Sequence, residues 1–210
     1  MTDKVTADVL RIKKPIMEEK LIVSKNFKLL TYALIAIGVI SFALGFIFDA
    51  KRTWANYLLN NYYFISIAIG AAFFGAIQYI SQSGWSAMFK RIPEAMSAYI
   101  PFAGVFFLIM YFGMHSIFEW THEEVVQNDH LLQYKSPYLN VPFFFARVVI
   151  FFFVWTIMSR LLRKISLQED EFGGIKYFEK SEFYSKIFIF IIAITFSAFA
   201  VDMLMSLEPH

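Results

Sequence analysis

Apolar residues in this chain do not alternate with polar ones. They gather in five long runs, at about 29–48, 57–80, 98–119, 141–162 and 186–207, separated by shorter charged stretches. Crossing the hydrocarbon of a bilayer takes roughly 20 residues of helix, and each run reaches that length. A helix packed on a soluble core keeps a polar face, whereas these runs are apolar on all sides. The pattern predicts an all-α polytopic membrane protein with about five transmembrane helices.

Between the runs the chain has distinct textures. Residues 1–28 mix seven Lys and Arg with Asp and Glu and predict a polar arm on the cytoplasmic side. The transmembrane domain then occupies 29–210, with Gly38 and Gly45 as close-approach positions in its first span. In the second span Ala68, Ala72 and Ala76 recur every fourth residue, with Ala71 and Gly75 beside them, a row that lets a neighbouring helix approach closely. The stretch 81–98 combines Trp85, Lys90, Arg91 and Pro93 and predicts an interfacial connector along the membrane surface. Residues 120–140 form an acidic loop. A charged loop through Gly173 and Gly174 joins the fourth and fifth spans.

Lys and Arg concentrate in the arm, at Lys90 and Arg91, and from Arg160 to Lys186; the opposite segments hold only Lys51, Arg52 and Lys135. Cytoplasmic loops carry the excess of basic residues, so the N-terminus is expected inside the cell. Composition then narrows the chemistry. The chain is 58% hydrophobic and 20% aromatic, with 17% charged residues and no cysteine, so within it disulfides, iron–sulfur ligation and c-type haem attachment are excluded. There is no Gly-rich phosphate loop, nucleophile triad or nucleic-acid-binding patch.

Candidate chemistry concentrates where the third run ends, in Gly113-Met114-His115-Ser116-Ile117-Phe118-Glu119-Trp120-Thr121-His122-Glu123-Glu124. If the run stays helical, His115, Glu119, His122 and Glu123 share one face. At 1.5 Å per residue, His115 and Asp202 lie about 25 and 23 Å above the inner starts of their helices, and Arg147 about 9 Å below the outer end of the fourth span. These positions predict one polar layer in the outer third of the membrane, made by His115, Glu119, Arg147 and Asp202, with His122 and Glu123 at its mouth. Intramembrane charges pair, and Arg147 with Asp202 or Glu119 is the expected pair. The layer has two readings: an ion pair that holds helices in register, or a proton path in which His115, Glu119 and Asp202 accept protons as quinol is oxidised. Metal readings fail on ligand number. Glu119-x-x-His122 has di-iron spacing but lacks its second copy, and His115 and His210 do not supply two facing haem ligands.

Several segments together resemble a known family. Ser81-Gln82-Ser83-Gly84-Trp85-Ser86 leading into Phe89-Lys90-Arg91-Ile92-Pro93-Glu94-Ala95-Met96 is the first. The others are Lys135-Ser136-Pro137-Tyr138-Leu139-Asn140 before 143–147, and Asp202-Met203-Leu204-Met205-Ser206-Leu207-Glu208-Pro209-His210. Together they resemble the second NrfD-related membrane component of bacterial alternative complex III, a quinol:cytochrome c or quinol:oxidase oxidoreductase. The resemblance implies about ten helices in two four-helix bundles. With five spans, this chain is similar to the N-terminal half, its spans two to five forming one bundle. It further implies a scaffold and candidate proton-conducting subunit in the bacterial inner membrane, without a cofactor of its own. Haem and iron–sulfur clusters would sit in partner subunits: an NrfD-like quinol subunit, an iron–sulfur subunit, multi-haem and mono-haem cytochromes c, and in some complexes a terminal oxidase. Nucleic acid is not an expected partner. A quinol site within this chain, with His115 as proton acceptor, and a transporter-like bundle without redox partners stay open as alternatives.

Overall fold

The computed structural model describes residues 23–208, so most of the arm at 1–28 and the last two residues, Pro209 and His210, lie outside the described part. The chain divides into two units, 1–44 and 45–210. The helix that begins in the first unit, α1 (Lys25–Phe48), has no buried residue.

The second unit holds the remaining helices of the described residues. They are α2 (Ala50–Ile80), α3 (Arg91–Ser97), α4 (Ile100–Ile109), α5 (Met114–Ile117), α6 (Glu123–Asn128), α7 (His130–Lys135), α8 (Val141–Phe172) and α9 (Ile175–Met203), with short 3₁₀ turns between several of them. Among the described residues, five segments are long and apolar enough to cross a membrane: α1, α2, the stretch Arg91–Phe112 built from α3, α4 and a 3₁₀ turn, α8, and Ile175–Leu207 built on α9. The protein is an all-α polytopic membrane protein. Spans two to five close into a four-helix bundle, since α2 packs on α4 and α9, and α8 packs on the same two.

Local chemistry sets the ends of these elements. Asp49 accepts a hydrogen bond from the Arg52 amide at 2.9 Å, and Asn140 accepts one from the Phe143 amide at 3.0 Å, so a short polar side chain caps α2 and α8. Pro142 stands in the first turn of α8, where its missing N–H costs least. The α8–α9 connection is only Gly173 and Gly174, both at positive φ (67° and 94°), a backbone conformation glycine adopts without steric cost.

The bundle interior is aromatic. Phe107, Phe152, Trp155 and Phe199 are almost fully buried. Their ring centroids lie 5.1 to 5.7 Å apart, the spacing of favourable edge and offset ring contacts. Trp155 donates to Thr195 Oγ1 at 2.8 Å, which satisfies its one polar atom in the core. The small-residue row of α2 is buried at Ala68, Ala72 and Ala76, as its spacing predicts. Gly45 is a close approach, because a Cβ there would fall 2.6 Å from Thr53 Oγ1; at Gly38 an added Cβ meets nothing within 4 Å among the described residues.

Three expectations are corrected. The third span starts at Arg91, not at residue 98, and stops at Phe112, short of Glu119. Pro93 falls inside the first turn of α3, so it begins the span and does not break it. Gly113 closes the 3₁₀ turn at the span's end and lies against the Trp54 indole, where any Cβ would run into the ring. Helix order then lapses: Phe118 and His122 have extended backbones, so His115, Glu119, His122 and Glu123 do not line one helical face. Finally, the stretch 163–185 is not a loop. Helices α8 and α9 run through it as far as the glycine turn, with Ile165, Ser166, Ser181 and Ser185 facing inward and the charges outward.

Candidate functional site

Polar side chains meet at both ends of the bundle. At one end, Arg147 pairs with Asp202, one of the two expected partners. Arg147 lies two turns into α8 and Asp202 near the end of α9, and the antiparallel crossing brings them to one depth. Arg147 Nε donates to Asp202 Oδ2 at 2.8 Å and Nη2 donates to Oδ1 at 2.9 Å, a bidentate fork. Arg147 Nη1 donates to the Tyr138 carbonyl at 3.0 Å. The guanidinium lies 3.8 Å from the Tyr138 ring centroid and 4.4 Å from that of Phe143. Asp202 is 0% exposed and Arg147 7%. The cation is thus held by a carboxylate, a carbonyl and two ring faces, so the loop before α8 is tied to the end of α9. Ser206 reaches back to the Asp202 carbonyl and closes the last turn.

Tyr138 lies outside the spans. Its phenol is held above its usual pKa by burial and then by the charge of Asp202, whose carboxylate also accepts from it, while Arg147 pulls the other way.

His115 and Glu119 do not join this pair. Both are exposed, as are His122 and Glu123, so the expected four-residue buried layer is two residues deep. His115, Glu119 and His122 instead line an open basin of about 450 Å³ with Asp49, Lys51, Arg52 and Glu208. Within it the chain doubles back. His122 Nε2 donates to the His115 carbonyl at 2.8 Å, and the two imidazoles lie 5.7 Å apart. Glu123 begins α6 and is absent from the basin's lining. The Asn60 and Asn61 amides each donate to a carbonyl of their own helix and add nothing to the pair. Among the described residues no group of three or more His, Asp or Glu side chains is arranged to hold a metal ion.

The opposite end carries a network that the pattern of residues does not announce. Lys90 Nζ lies 2.6 Å from Asp170 and 3.6 Å from Glu169. Arg91 binds both Glu94 and Asp170, and also reaches Ser166 Oγ and its carbonyl at 3.3 Å. Tyr79 donates to Glu169 at 3.4 Å. Burial alone would lower the Lys90 pKa, but the Asp170 hydrogen bond and the Glu169 charge outweigh it and hold the ammonium above its ordinary value. The signal for this network was the helical extension of α8, which brings Glu169 and Asp170 back over the connector.

The three segments that carry the family resemblance coincide with these two polar ties. Ser83, Ser86, Lys90, Arg91 and Glu94 belong to one end, and Tyr138, Asn140, Arg147, Asp202 and Ser206 to the other. Set against known proteins, the chain matches no family model and no curated protein.

Proposed function

We propose that the chain is an integral membrane subunit of a respiratory quinol-oxidising complex of the alternative complex III kind, with its N-terminal side in the cytoplasm. Its own work is that of a scaffold, and the His115–His122 basin exchanges protons on the outer side. The observation that carries the scaffold reading is the Arg147–Asp202 fork. All three guanidinium nitrogens of Arg147 donate and the carboxylate is fully buried, so the pair holds two helices and a loop in one register. A carboxylate locked this way is a poor proton carrier. The exposed imidazoles of His115 and His122 suit that task better.

The placement of the motif segments at the two polar ties supports the assignment to such a complex, because those ties shape the surfaces the bundle offers at its ends. Quinol oxidation and electron transfer then belong to an NrfD-like quinol subunit, an iron–sulfur subunit and multi-haem and mono-haem cytochromes. Affinity purification of the tagged chain from native membranes tests the partners: c-type haem absorbance should copurify, and a haem-free preparation would sink the assignment. Proton release per quinol oxidised in the His115→Ala/His122→Ala variant tests the basin. Release should slow while assembly is kept, and unchanged release refutes the basin's role.

A further inference from the structure

Helix α8 begins its apolar run at Val141, so at 1.5 Å per residue Arg160 lies about 29 Å and Arg163 about 33 Å along it. The hydrocarbon of a bilayer is about 30 Å thick, so both guanidinium groups stand at the level of the lipid headgroups. The helix then continues to Phe172, beyond the bilayer. At the same end Trp85 and Met88 project from their 3₁₀ turn, 63% and 94% exposed, as side chains at a membrane interface do.

Three other cations at this end are neutralised, whereas Lys164, Lys176 and Lys180 are exposed on the helix surface. Lys90 and Arg91 are shared among Glu94, Glu169 and Asp170, and Lys186 pairs with Glu182. Arg160 and Arg163 have no ion-pair partner among the described residues. They face space that the bundle does not fill. Arg160, Arg163, Ser97, Thr156, Pro101 and Phe102 line a cleft of about 220 Å³. A second cavity of about 250 Å³ shares Glu94, Ser97, Ser159 and Arg163 with it and runs between the small residues Ala72, Gly75 and Ala76 of α2 and the rings of Phe178 and Phe188.

We propose that Arg160 and Arg163 form a headgroup site for an anionic phospholipid, whose phosphate lies between the two guanidinium groups and whose acyl chain enters the apolar space beside Pro101 and Phe102. A phosphodiester matches the planar donor fork of arginine, and its charge offsets two cations that no carboxylate reaches. Basic pockets between helices at the headgroup level bind acidic lipids on this principle. Glu94 borders both cavities, but Arg91 already occupies its carboxylate.

Native mass spectrometry of the full chain in detergent, titrated with phosphatidylglycerol or phosphatidylcholine, tests the site. Phosphatidylglycerol should bind in preference. Arg160→Gln/Arg163→Gln should weaken it by about thirtyfold, from roughly fivefold per cation. Lys51→Gln/Arg52→Gln, at the other end of α2, should leave it unchanged. Equal binding of the two lipids, or an unchanged preference in the Arg160/Arg163 variant, overturns the site. Displacement of the lipid by millimolar inorganic phosphate would assign the site to a free anion, and displacement by a short-chain quinone would assign the cleft to a ring amphiphile; either result refutes the lipid.

Discussion

The two polar ties of this bundle use the same chemistry and differ in exposure. At one end the Arg147 and Asp202 side chains are 9% and 1% exposed; at the other, those of Arg91 and Asp170 are 40% and 48% exposed. Both are arginine–aspartate pairs joining α8 to another segment. Taking a charge out of water costs several kcal/mol, and only a complete set of partners offsets it, so the buried pair is strong as a unit and fragile to the loss of either member. The exposed network keeps water as an alternative partner, and each of its links contributes about 0–1 kcal/mol. The first specifies the arrangement of helices, and the second trims it.

Breaking the buried pair is the most severe test. Asp202→Ala or Arg147→Ala should each destabilise the protein by about 3–5 kcal/mol, because the partner is left charged and buried. Arg147→Met combined with Asp202→Leu leaves no charge and should recover most of that loss. Thermal unfolding in detergent measures all three, and a double variant as unstable as the single ones would show that the fork does not lock the helices. Gly113→Val comes next. Forcing a side chain against the Trp54 ring should cost about 1–3 kcal/mol, and Trp54→Ala in the same chain should relieve part of it. Absence of that relief would show that the ring is not what the glycine accommodates.

Smaller effects sharpen the contrast. Lys90→Gln or Arg91→Gln should cost about 1 kcal/mol or less, and the loss should shrink in 1 M salt, where the Debye length is about 3 Å. The Asp202→Ala loss should not respond to salt. A salt-insensitive Lys90 variant would mean that this end is less open than its exposure indicates. The least effect concerns Tyr138. Its phenol is held above the usual tyrosine pKa in the folded protein, so its contribution to stability is fully present below pH 10 and declines as pH rises through the folded value. A Tyr138→Phe chain should lack that alkaline decline, and an identical decline would remove Tyr138 as its source.

Much of this was legible in the residues. Run length marks the spans, and the fixed rise of a helix placed Arg147 and Asp202 at one depth before any contact was known. The third span shows where such arithmetic stops. Tyr111 to Phe118 reads as a continuation of the apolar run, and nothing local to Gly113 announces that the Trp54 ring lies against it. Once the helix stops there, the rise per residue no longer applies to His115 and Glu119. They fall in an exposed basin instead of the buried layer. The same limit hid the Lys90–Asp170 network, since a charged stretch after an apolar run reads as a loop unless its helix is known to continue.

Hydrophobic pattern and helical rise are properties of a short stretch of chain, so the order of residues alone was enough for an all-α membrane protein of five spans and for the shared depth of Arg147 and Asp202. Which glycine lies against a distant ring, which cations find carboxylates and which stay unpaired, and which histidines face water depend on residues far apart in the chain. Those matters follow from the packing of the bundle, because steric exclusion and desolvation act between whichever groups the fold makes neighbours.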